Sequence, residues 1–322
     1  MSSNTTRTRV SIIFPYLGDD DGVRDRLLQM LEAALNRRKY LHTCNQKPIL
    51  VVNKDTIRRG LYEKFEKYVA DNRENGSLLD QLDILDVWSV DTCQMWLAAF
   101  GKVLDDTANN PKDDTRCVLQ IPGDLKYVAD FGHFLNQLGR MRSSIETDWD
   151  FAVGDFEVDS RGSKYLIDMY GTYPLLFNWF PDIARSVREM EIQRPRSEFL
   201  AARVEFLSEM LKRRKFAYEQ TIVFLLHAFS DNLRRKPRGE PPRKRRAWDI
   251  GKVDLGKVAD YAPGRGFREA NDQIQRTERM LKFLWREFNG GDKFDVREFE
   301  RLEARSTAIC RGAMVSLENF LR

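Results

Sequence analysis

The strongest constraint on how this chain folds is a change of hydrophobic period that repeats through its first half. Val10-Ser-Ile-Ile-Phe14 is a short β-branched run stopped by Pro15. After the acidic turn Asp19-Asp20-Asp21-Gly22, Leu27, Leu28, Leu31, Ala34 and Leu35 recur at helical spacing. Pro48-Ile-Leu-Val-Val52 then precedes a helix with Leu61, Phe65, Tyr68 and Val69 on one face, and Leu82 to Val90 holds a third strand before a helix from Cys93 to Leu104. Cys117-Val-Leu-Gln-Ile121 precedes a helix from Val128 to Arg142, and Asp150 to Val158 holds a fifth strand. Strands this apolar must be covered on both faces, so the alternation predicts βαβ units in a mostly parallel sheet flanked by helices. Ligands of such sheets bind beyond the carboxyl ends of the strands. The residues just after each strand are Pro15 and Tyr16 with Asp19, Asn53-Lys54-Asp55, Asp91, Gly123-Asp124 and Gly154-Asp155.

The second half reads as helical. Residues 165–180 are rich in aromatics, and two helices at 197–211 and 216–231 are joined by the basic turn Lys212-Arg-Arg-Lys215. Ala270, Ile274, Leu281, Leu284 and Phe288 then share one helical face up to Gly290-Gly291, and a last amphipathic helix runs from Val296 to the end, one that could pack alone or pair with another copy in a homodimer. Between them lies RRKPRGEPPRKRR at 234–246, with eight Lys or Arg and one Glu, so it supplies more than the whole formal charge of +4 and leaves the remainder mildly acidic. Its prolines predict a flexible loop. One basic loop on an acidic body, without interleaved aromatics, excludes a nucleic-acid-binding face and points to a single anion-seeking segment.

Other classes are excluded by what is scarce. Cys44, Cys93, Cys117 and Cys310 show no CxxC spacing, so neither a disulfide framework nor a zinc site is expected, and a reducing cytoplasm suits them. His42, His133 and His227 lie far apart and read as structural or surface histidines rather than metal ligands or a catalytic base. No apolar run is long enough to span a bilayer, and the polar start, Met1 to Arg9, has no apolar core of a secretory signal.

In order and hydrophobic pattern the chain resembles family-two glycosyltransferases of the GT-A fold, in particular the dolichol-phosphate mannose synthase branch. Val10 to Tyr16 is similar to that family's opening strand, Leu50-Val-Val-Asn-Lys-Asp-Thr56 to its second strand and nucleotide-contacting turn, and Cys117 to Leu125 to the strand that delivers metal-binding carboxylates. Asp150 to Asp155 matches the following strand, and Ser197 to Phe206 with Phe216 to Glu219 look like acceptor-side helices. Where the family has two aspartates one residue apart, this chain has Gly123-Asp124, and the acceptor helix opens Ser197-Glu198 rather than Ser-Gly. The resemblance implies a lead at 1–9, a catalytic nucleotide-sugar-binding domain at 10–232, a basic loop at 233–265 and a helical extension at 266–322.

It further implies transfer of a sugar from a nucleoside-diphosphate sugar to an acceptor hydroxyl or lipid phosphate, with inversion. Pro15, Tyr16, Asp19, Asn53, Lys54, Asp91 and Gly123 would hold the nucleotide, and Asp124 would hold Mg²⁺ or Mn²⁺ against the diphosphate, because hard cations prefer carboxylate and phosphate oxygen. Glu191, Glu198 and Glu219 are the carboxylates placed to deprotonate the acceptor. The basic loop, with Arg265 and Arg268, could close over the diphosphate or rest on an anionic membrane, which would put the enzyme at the inner membrane surface. Two rival readings share the fold: a sugar nucleotidyltransferase, disfavoured by the acidic Tyr16 to Asp21 stretch where that class has a basic glycine-rich run, and a non-catalytic GT-A-like interaction module.

Overall fold

The computed structural model describes residues 7–15, 21–35, 41–53, 63, 67, 79–88, 92–157, 163–213, 220–234, 248–260, 267–290 and 294–321. The chain divides into a sheet unit, 1–156 with 196–261, and a helical unit, 157–195 with 262–322. The sheet unit carries β1 (Arg7–Phe14), β2 (Ile49–Asn53), β3 (Asp83–Val87), β4 (Thr115–Pro122), β5 (Leu125–Val128), β6 (Phe151–Glu157), β7 (Leu200–Arg203) and β8 (Ile250–Asp260), in the order β3-β2-β1-β4-β7-β6-β8-β5. β1 pairs in parallel with β2 and β4, and β2 with β3. β7 is antiparallel to both β4 and β6, so β6 shares the direction of the first four strands.

Helices cover both faces. Thr8 and Arg9 are neighbours on β1 and so point to opposite sides. The Thr8 hydroxyl donates to Glu146 on α3 (Phe131–Thr147), whereas Arg9 reaches Asp106 on α2 (Thr92–Asn109). α1 (Asp21–Leu35) buries Leu27, Met30 and Leu31, while α7 (Val204–Lys212) and α8 (Gln220–Arg234) bring Phe206 and Phe224 against Phe151 of β6. The α/β architecture expected from the periodicity is present, with helices at the C-terminal end of the chain.

Three strands, β5, β7 and β8, went unread in the sequence, and β1 begins earlier than its apolar run. Arg7 to Arg9, expected in the lead, belong to β1. β7 replaces the first turns of the helix expected at 197–211, which begins only at Val204. Leu-Ala-Ala-Arg has no strand preference of its own; pairing on both sides, with β4 and β6, overrides propensity. β8 occupies part of the segment expected to be a flexible loop, although Gly251, Val253 and Leu255 are buried and alternate with Lys252 and Asp254. That period of two is the signal a strand leaves.

At the centre of the sheet Arg9 is wholly buried. Its Nε donates to the Lys47 carbonyl at 2.8 Å, Nη1 to Asp106 at 2.6 Å, and Nη2 to Asp83. Burial pushes the Asp106 carboxyl up, but hydrogen bonds from Arg9 and Lys102 together hold it below its ordinary value. Replacing Arg9 with Met would remove the cation shared by Asp83 and Asp106, leave Asp106 with Lys102 alone and leave the Lys47 carbonyl without its guanidinium donor. The expected loss is about 3–5 kcal/mol, read from urea unfolding.

His42 lies beside it. The Val10 amide donates to Nδ1 at 3.0 Å, and Nε2 lies 2.6 Å from the Gln46 carbonyl, which fixes the neutral ring with its proton on Nε2. Burial, aided by the Arg9 charge, lowers its pKa from 6.5 to about 4. The unfolded chain therefore takes up this proton first as the pH falls. The stability is complete above pH 6.5 and is lost towards about pH 4, at about 1.4 kcal/mol per pH unit. Urea titrations across that window should show the slope in the native protein and its absence in His42→Gln.

The helical unit comprises α4 (Ser163–Ile167), a π turn (Asp168–Thr172), α5 (Tyr173–Trp179), α6 (Pro181–Glu189), α9 (Phe267–Asn289) and α10 (Val296–Leu321). Trp179, Trp285, Phe294 and Phe299 pack together at its centre, with the Arg286 guanidinium 4.3 Å from the Phe299 ring. Among the described residues no helix is long and apolar enough to cross a membrane.

Candidate functional site

The register of the parallel strands determines which strand-end residues meet. Ile13 of β1 lies opposite Val51 of β2 and Pro122 of β4. Pro15, Asn53 and Gly123-Asp124 therefore leave the sheet at the same height on three adjacent strands. Asn53 is 1% exposed at the end of β2, while Pro15 and Asp124 are half-buried. Gly123 brings β4 unusually close to β1: its amide donates to the Ile13 carbonyl at 2.6 Å. A Cβ there would stand 2.9 Å from that oxygen and 3.2 Å from Leu27 Cδ1. Only glycine allows the approach, which brings Asp124 level with the end of β1 on the adjacent strand.

The antiparallel strand extends this rim. Because β7 enters where β4 and β6 end, the residues before it, Ser197 to Phe199, arrive at the same edge of the sheet. The Gly154 amide donates to the Phe199 carbonyl at 2.9 Å, the Ser197 hydroxyl donates to the Gly154 carbonyl, and the Thr221 hydroxyl donates to the Ser197 carbonyl. These bonds hold the half-buried Glu198 next to the end of β6. With neighbouring strands about 4.8 Å apart, Asn53 on β2 and the end of β4 are separated by about 10 Å, and β4 and β6 by about the same. The rim also gathers Asp155, 4% exposed, with Lys252 of β8 3.8 Å away. Lys252 was missed with β8; Asp155 had been marked only as a strand-end residue.

Of the residues singled out in the sequence, the structure thus brings together Pro15, Asn53, Gly123, Asp124 and Glu198. Tyr16, Asp19, Lys54, Asp91, Glu219 and Arg265 lie outside the described residues. Glu191 and Arg268 belong to the helical unit rather than to the sheet that carries the rim, and both are exposed. Glu191 has a local task. It takes the left-handed conformation, φ 55°, just after α6. Its amide donates to the Arg188 carbonyl and the Ile192 amide to the Val187 carbonyl, the paired bonds that close a helix C-terminus. Among the described residues no three His, Cys, Asp or Glu side chains gather as a metal cage.

Gly123→Ala tests the close approach. The added methyl meets a backbone oxygen that cannot swing aside, and a loss of about 1–3 kcal/mol is expected in denaturant unfolding. Gly139→Ala, at a helical position where a Cβ meets nothing within 4 Å, should show no such loss.

No protein-family profile matches the chain, and no curated protein sequence does. Among solved structures it is similar to mannosyl-3-phosphoglycerate synthase from Rubrobacter xylanophilus, at 11% identity and a TM-score of 0.44 over 86% of this chain and 75% of that one. It is also similar to 4-diphosphocytidyl-2C-methyl-D-erythritol synthase from Anaerococcus prevotii, at 10% identity and a TM-score of 0.39 over 87% of this chain and 97% of that one.

Proposed function

We propose that the sheet unit is a sugar transferase that uses a nucleoside-diphosphate sugar. The observation that carries this reading is the convergence of Asn53, Gly123-Asp124 and Glu198, far apart in sequence, on the carboxyl rim of a mostly parallel sheet. That rim is where sheets of this class take up nucleotides. The Asn53 amide at the β2 end offers donor and acceptor to a base or ribose. Asp124 offers a hard oxygen to Mg²⁺ or Mn²⁺, an ion commonly held by one or two carboxylates together with substrate phosphates. When bound, such an ion would neutralise charge on the departing diphosphate.

Glu198, at the same rim, would serve the acceptor. Its carboxylate would take the proton of the attacking hydroxyl as the new bond to the anomeric carbon forms. The bond from that carbon to the diphosphate oxygen breaks, and the nucleoside diphosphate leaves with the electron pair. Attack from the face opposite the leaving group inverts the anomeric centre. An acceptor that is already ionised, such as a lipid phosphate, would need no base. The basic segment 234–246, most of which lies outside the described residues, would suit such an acceptor at an anionic surface.

Calorimetric titration with UDP, GDP and their sugar conjugates, with and without Mn²⁺, tests the reading. One nucleoside diphosphate should bind, more tightly with the ion. Asp124→Ala should weaken it about 10- to 100-fold in the presence of Mn²⁺ while the melting temperature holds. A folded protein that takes up none of these nucleotides sinks the assignment and favours a non-catalytic interaction module.

A further inference from the structure

One feature of the sheet unit plays no part in the proposed chemistry. Ser11 of β1 and Gln120 of β4 are register partners on parallel strands, so their side chains rise from the same face of the sheet. Both are 0% exposed. Among the described residues, Ser11 Oγ, Gln120 Oε1 and Gln120 Nε2 have no hydrogen-bond partner. Three stranded polar atoms side by side in the centre of a sheet are a heavy liability, because buried polar groups are nearly always bonded. The neighbours along β1 and β4 do not relieve them. On the same face, Arg9 one step back has its Nε, Nη1 and Nη2 committed to Lys47, Asp106 and Asp83, and Ile13 and Pro122 one step forward are apolar side chains.

We infer that Ser11 and Gln120 form a buried water-binding site two steps beneath the rim. The chemistry selects water over other occupants. A hydroxyl and a carboxamide supply donors and acceptors but no charge, so the pair cannot neutralise a divalent cation or an anion. A serine carries its oxygen one carbon from the backbone and a glutamine carries its amide three carbons out. Their polar ends therefore stand at different heights over adjacent strands, and a water can donate to one and accept from the other. An internal water commonly makes about three bonds, the number of polar atoms waiting here.

The test combines crystallography of the native protein with a double-mutant cycle. High-resolution density should show an ordered water within hydrogen-bond distance of both Ser11 Oγ and the Gln120 amide. Ser11→Ala and Gln120→Met should each lower the melting temperature by a few degrees, since each leaves the water and the remaining partner short of bonds. The double variant should melt no lower than the worse single, because the polar demand is then gone from both sides. A dry contact with a direct Ser11–Gln120 hydrogen bond, or strictly additive losses in the cycle, overturns the proposal. A nucleotide titration that fails leaves it standing, because none of the atoms involved reaches the rim.

Discussion

The Arg9 guanidinium is the interaction on which the sheet unit depends. It stands in the middle of β1 with no exposed surface, and it links the approach to β2 through Lys47, the start of β3 through Asp83 and helix α2 through Asp106. A one-residue slip turns every side chain of a strand to the other face of the sheet. A planar cation with three directed bonds to three elements would lose all of them in such a slip. Desolvating such a charge costs heavily unless every bond is made, so the native register is the one arrangement that satisfies it. The alignment of the strand ends, and with it the composition of the rim, follows from that register.

Much of this was legible in the residues. Each of the five strands expected from apolar runs is present, because a run such as Ile49 to Val52 can be nothing else once it is too short for a helix and too apolar for a loop. The rim was legible for the same reason, since it consists of whatever follows those runs. What stayed hidden depends on partners rather than on local pattern. β7 is a strand only because β4 and β6 flank it, and four residues of helix-forming character give no local hint of that. β8 did carry its period of two, but the basic, proline-rich stretch before it drew the boundary too far. Arg9 offered no signal at all, since an arginine before a strand normally marks its solvated start.

The candidate carboxylates separate along physical lines. Glu198 sits where an antiparallel strand enters the carboxyl edge, and side-chain bonds from Ser197 and Thr221 hold its backbone. Glu191 instead ends a helix, in a backbone conformation that an L-residue adopts at an expense of about 1–2 kcal/mol. Two glutamates seven positions apart thus differ in kind, and composition could not have told them apart. Asp155 with Lys252 shows the converse: a charge pair at the rim that becomes visible only when β8 is placed beside β6.

β8 has a mechanical consequence. This one strand neighbours β6 in the sheet and pairs with β5 at its far end, bending at Gly256, where φ is 78°. β5 is four residues long and begins immediately after Asp124. A strand so short has no independent stability, and it opens or closes with whatever holds it. The carboxylate of Asp124 therefore inherits its rigidity from a strand more than a hundred residues later, and loosening at either end of β8 is transmitted to the Asp124 end of the rim as added disorder.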